Sequence, residues 1–301
     1  MRIFEEKIKP IQNISFMAIM AAITAVFSLL IAFWPELSIG LVFFLPILSA
    51  LVGCVCLKRY LPAYIIASSA LSLAVASFNI GESLFVIIPS ILIGTLLGLA
   101  LKMGFGNGIT VFALGLLQMG INYLIIAILK ATISLDPITT FYSIFGIEVS
   151  ERTNALTPSL IFVVALAQCA ITNFIFSVLF LNKKAKKELP VALKKFLEPS
   201  LGLLFGALAI GLGTIDLMSG SLFLVASLFF SITSGSLLFG ERRVWVFIAV
   251  GGSLLAAFFI RAAISNVYKE GLILYSLFGM ALDFVVLFSN LLKGKAKDEI
   301  S

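Results

Sequence analysis

Gln118 and Asn122 stand one helical turn apart in a long apolar run, and Gln168, Thr172 and Asn173 occupy a comparable depth in the next one. A polar side chain in such surroundings must find a partner, which makes these the first candidates for a site. Carboxamides are uncharged and offer both donors and acceptors, so two such helices facing each other suit a neutral or zwitterionic small molecule. Amide bonds that merely hold the two helices together are the competing reading. Asn79 and Glu82, between two earlier runs, sit where ligand-contacting loops can converge with Tyr142. Glu82 fits equally well as a helix N-terminal acid that meets the macrodipole.

Arg261 and Asp283 are ionisable residues within the last two apolar runs. A rise of 1.5 Å per residue puts Arg261 about 7 Å and Asp283 about 16 Å below the outer boundary, so a direct pair requires Arg261 to reach inward or the helices to tilt. Two readings stay open: a bridge joining the final hairpin, or an anion-binding Arg and a proton-carrying Asp. No enzyme constellation appears, since the chain has no His. Gly104 to Gly108 links two apolar runs rather than a strand and a helix, and no P-loop lysine pattern occurs. We expect no enzyme activity and no cofactor. The C-x-C of Cys54 and Cys56, like Cys169, has no His or carboxylate cluster beside it and reads as small hydrophobes rather than a metal site or disulfide.

The elements that carry these residues are ten apolar stretches in a 301-residue chain that is 61% hydrophobic and 12% charged. A hydrocarbon core of roughly 30 Å needs about 20 helical residues. Spans are expected near 14–34, 39–57, 61–78, 83–101, 109–129, 157–181, 199–215, 221–239, 244–265 and 272–292. The fold class is therefore all-α, a polytopic membrane protein with about ten transmembrane helices; a closed barrel would show short alternating strands instead. The first span lacks a small-x-small cleavage pattern and is expected to remain as a helix. Of 21 Lys and Arg residues, 17 fall on alternate connections that share a side with both ends, three fall on the other side (Lys130, Arg152, Lys269), and Arg261 lies in a span. The positive-inside rule makes that shared side, and both termini, cytoplasmic. Cations parcelled out between apolar spans do not form a nucleic-acid groove, so the first partner is the lipid bilayer.

The basic stretch from Lys183 to Phe196 divides the chain into a six-helix domain over 1–182, a basic interfacial linker over 183–198, and a four-helix domain over 199–301. Beyond Pro190, the spacing of Leu193, Phe196 and Leu197 suits a short helix in the inner interface, with a solvated loop as the alternative. On the outside, Asp136-Pro137 looks like an N-cap and first helical position, and Ile138, Phe141, Tyr142 and Phe145 recur at helical spacing before Gly146. That short amphipathic helix is either a lid on a pocket or a helix resting among headgroups. Ala18-x-x-x-Ala22, Gly94-x-x-x-Gly98 and Gly202-x-x-x-Gly206 permit close helix approach, as do Ala67, Ala70 and Ala74 with Ser68 and Ser77.

The N-terminal domain resembles the substrate-binding S components of energy-coupling factor (ECF) vitamin transporters. The resemblance rests on six spans, the Ala18 to Ala22 first helix, SIGLVFFLPIL at 38–48 and the long outer loop before span six. The full length resembles the YybS-like bacterial membrane proteins, through Leu189-Pro190 to Phe196, Pro199 and Gly279-x-x-x-Asp283. This resemblance implies a bacterial cytoplasmic (inner) membrane protein that captures a small molecule in its six-helix domain. It also implies contact with ECF-type transmembrane and ATPase subunits through Ala18 and Ala22. S components ordinarily stop after six helices, so four more would replace, block or supplement that contact. Two other readings stand beside this one. A ten-helix secondary transporter of the drug/metabolite type would need two five-helix repeats, which are not evident in the sequence. A non-transporting membrane scaffold or assembly protein would have a sealed interior.

Overall fold

The computed structural model describes residues 9–77, 81, 83–105, 108–134, 136–144, 148–180, 191–213, 215–239 and 274–298. Among the described residues there is no strand. The helices are α1 (Pro10–Phe33), α2 (Pro35–Val55), α3 (Leu61–Val75), α4 (Ile88–Lys102, entered through a π turn at Ser83–Ile87), α5 (Gly108–Ile133), α6 (Pro137–Ile144), α7 (Glu151–Phe180), α8 (Val191–Gly213), α9 (Leu217–Phe239) and α10 (Leu274–Asp298). Prolines open α1, α2 and α3 in their first turns, where the missing N–H costs no helical bond.

Among the described residues, six helical stretches are long and apolar enough to cross a membrane: Pro10–Phe33, Leu84–Lys102, Gly108–Thr132, Thr153–Phe176, Lys195–Gly213 and Leu217–Gly235. Phe43–Val55 and Tyr275–Leu291 are apolar but shorter. The expected third span is the 15-residue α3, about 22 Å long and so shorter than a hydrocarbon core. The expected ninth span, 244–265, lies outside the described residues.

The chain forms two compact units, residues 1–153 with 161–188 and residues 154–160 with 189–301. In the first unit, α2 and α4 run parallel with their backbones in contact. A methyl group on Gly94 would meet Pro46, one on Gly98 would meet the Ala50 backbone, and one on Gly53 would meet the Thr95 carbonyl. The Cys54 thiol donates to the Gly98 carbonyl at 3.2 Å, the behaviour of a packed small residue rather than a ligand. One end of the unit is tied by polar bonds. Asn13 is buried, its amide donates to the Lys9 carbonyl at 2.9 Å, and its oxygen accepts the Leu57 N–H at 2.8 Å. At the same end the Lys102 ammonium donates to the Cys56 carbonyl at 2.9 Å. Asn13→Ala should lower the stability of the purified protein by about 1–3 kcal/mol, because it orphans the Leu57 N–H. A denaturant midpoint equal to wild type would show that water reaches that group.

In the second unit α8 runs antiparallel to both α9 and α10. Residues 191–198 form the first turns of α8 and not a separate interfacial helix, so Pro199 lies inside it. Pro199 has no N–H to give the Lys195 carbonyl four residues back. The Asn290 amide of α10 supplies that bond at 2.9 Å. Asp216 caps α9, accepting the Ser219 hydroxyl at 2.6 Å, the Ser219 N–H at 2.9 Å and the Met218 N–H at 3.3 Å. The Ser219 hydroxyl, followed by its N–H, holds the exposed Asp216 carboxyl below the usual carboxylate range. A depressed folded value stabilises the fold above the unfolded value and stops doing so as pH falls through the folded one. Asp216→Asn keeps a capping oxygen without the charge, so its melting midpoint should vary less than wild type over that acidic window.

Candidate functional site

The connection after α5 is held by local bonds. Lys130 pairs with Asp136 at 2.8 Å, the Ile138 N–H binds the Asp136 carboxylate at 3.1 Å to start α6, and the Tyr142 hydroxyl donates to the Thr153 carbonyl at 3.0 Å in α7. Tyr142 is thus buried and tied to the start of α7. Phe145 and Gly146 lie outside the described residues.

Elsewhere on α5, Gly115 lets α7 approach until a methyl group there would strike Leu166. Phe112 and Phe162 meet edge to face with centroids 5.7 Å apart. At this crossing the Gln118 amide donates to the Gln168 oxygen, and the Cys169 thiol lies 3.7 Å from the Gln118 oxygen. Both glutamines are buried, at 2% and 3% exposure. The two helices therefore bring together the first members of the expected amide set. Asn122 follows Gln118 by one turn, and Thr172 with Asn173 follows Gln168. The carboxamide oxygens of Asn122 and Asn173 and the Thr172 hydroxyl are buried with no hydrogen-bond partner among the described residues. Such atoms cost free energy unless something binds them. Asn79, Glu82 and Arg261 lie outside the described residues. Ala18 and Ala22 are exposed on α1, beside exposed Ile14, Ile19 and Val26.

Two polar groupings are not foreseen from the sequence. In the first unit Tyr64 is buried with its hydroxyl 3.3 Å from that of Ser49. Ser68 and Ser72 continue the same face of α3, and Thr24 and Ser28 are buried on α1. The signal is there as Ser, Thr and Tyr at four-residue spacing, but each is also compatible with simple close packing. In the second unit Asp283 is fully buried and bound by Ser231 and Ser234 of α9, both at 2.6 Å. Glu198 of α8 is buried at 1% exposure. Among the described residues no group of three or more His, Cys, Asp or Glu gathers as for a metal ion.

These features define a multi-pass helical membrane protein with polar residues buried in both of its units. No protein-family model, curated protein or solved structure matches the chain.

Proposed function

We propose that the chain is a transport-related protein that binds a small, uncharged or zwitterionic polar molecule through residues of α5 and α7. The observation that carries this reading is the set of three buried polar atoms without partners, on Asn122, Thr172 and Asn173, beside the Gln118–Gln168 pair. Two of the three are amide oxygens, which only accept hydrogen bonds. The ligand accordingly carries N–H or O–H donors. This reading agrees with the resemblance to S components and YybS-like proteins. In the same proposal the full chain has about ten spans in the bacterial cytoplasmic membrane, both termini are cytoplasmic, and the exposed Ala18 and Ala22 meet an ECF-type membrane or ATPase subunit. The gathering of Lys9, Lys58, Arg59 and Lys102 near one end of the first unit supports that orientation.

Purification from native membrane, with mass spectrometry of bound small molecules and copurifying subunits, tests it. A polar metabolite present with wild type and absent with Asn122→Leu is the expected result. A copurifying ATPase selects energy coupling by a partner. Identical small-molecule content in the two proteins would remove the binding role and leave a scaffold, whose amides only join helices.

A further inference from the structure

We propose that Asp283 is a reversible proton-binding site, built by α8, α9 and α10 and distinct from the amides of α5 and α7. A count of hydrogens carries it. The Ser231 hydroxyl oxygen lies 2.6 Å from one Asp283 oxygen and 2.9 Å from the Ser227 carbonyl. The Ser234 hydroxyl oxygen lies 2.6 Å from the other Asp283 oxygen and 3.2 Å from the Ser231 carbonyl. Each hydroxyl has a single hydrogen. With an ionised carboxylate, four oxygen–oxygen contacts share two hydrogens. A proton on Asp283 supplies a third: the carboxyl donates to Ser231, Ser231 donates to the Ser227 carbonyl, and Ser234 donates to the second carboxyl oxygen.

Both states fit the same heavy-atom positions. When the proton leaves, the Ser231 hydrogen turns from the Ser227 carbonyl to the carboxylate, so that two hydroxyls bind the charge. Nothing larger than a hydroxyl rotor has to move. The third side of the carboxyl is closed by backbone, because a methyl group on Gly202 of α8 would strike it. Gly279, a turn before Asp283, acts in the same way, since a methyl group there would meet the Ser231 hydroxyl.

Among the described residues, α8, α9 and α10 place no cation within one turn of the site. α9 has no titratable side chain, and within one turn of Asp283 neither does α10. On α8 the titratable group that shares the Gly202 face one turn away is Glu198, a second acid. Lys195 stands two turns from Gly202. A carboxylate buried in apolar surroundings is costly unless it is hydrogen-bonded or balanced.

The test is pH-difference infrared spectroscopy on the full chain in lipid vesicles. A protonated-carboxyl stretching band that grows on acidification, persists in Glu198→Gln and vanishes in Asp283→Asn is the expected result. Asparagine can donate to Ser231 and accept from Ser234 as the neutral acid does, so this variant should keep the wild-type circular dichroism. A band of constant size at every pH that disappears in Asp283→Asn would mean a permanent structural proton and overturn reversibility. No such band, with Asp283→Asn unfolded and rescued by adding Arg261→Met, would show an ion pair and overturn the proposal entirely. Should Asp283→Asn fail to fold without rescue, carbodiimide labelling of wild type decides. Peptide mass spectrometry should find the label on Asp283 at acidic pH and lose it on alkalinisation, and an unlabelled Asp283 at all pH values rejects the site.

Discussion

Gly98→Val is expected to yield little or no monodisperse protein. The added side chain would enter the Ala50 backbone, which no rotamer change can clear. Overpacking usually costs about 1–3 kcal/mol, and where the obstacle is main chain both α2 and α4 have to separate along their shared length. That separation also disturbs the Cys54 to Gly98 bond and the Lys102 to Cys56 bond at the adjoining end. Gly206→Val should be milder, since its nearest obstacle is the flexible Met280 side chain. Gly120→Ala is the control. Nothing lies within 4 Å of its added carbon, so the helix should gain up to about 1 kcal/mol from propensity alone. The three variants are compared by yield and melting midpoint in detergent. Equal behaviour of Gly98→Val and Gly120→Ala would refute the close contact of α2 with α4.

Hydropathy and local chemistry are enough to read the helical class, most span positions and the Asp136-Pro137 start of α6, because each depends on residues within a few turns. The meeting of Gln118 with Gln168 is also legible: two polar residues in neighbouring apolar runs have few other places to go. What escapes are contacts set by which faces of distant helices touch. Asn13 meets Leu57, 44 positions away, and Ser231 and Ser234 meet Asp283, 52 and 49 positions away. A serine in a helix satisfies itself on the preceding turn as readily as on a neighbour, so spacing alone does not single out these two. The length of α3 escapes for a related reason. Hydropathy continues through Ala76 and Phe78, whereas the helical hydrogen bonds end at Ala76 on the Ser72 carbonyl. The unbroken path of α8 through Pro199 depends on Asn290, which takes the carbonyl that the proline leaves open.

Gln118→Leu should destabilise the first unit by about 1–3 kcal/mol, the ordinary penalty for breaking a buried amide bond such as that to Gln168. Gln168→Leu should cost a similar amount by stranding Gln118. The double leucine variant separates a bond from two independent packing effects: with both amides gone neither is orphaned, and leucines suit the apolar crossing around Gly115 and Leu166. Its loss should fall short of the summed single losses by roughly 0.5–2 kcal/mol, at the strong end of couplings between membrane helices. Strict additivity in denaturant titrations would mean that the glutamines do not bond to each other in the bilayer. The same variants bear on ligand capture. A molecule held through Asn122, Thr172 and Asn173 leaves those partners in place in the double variant, so binding should weaken without disappearing. Asn122→Leu removes an acceptor outright and should cost more affinity than stability, because in the unliganded protein its oxygen has no bond to lose.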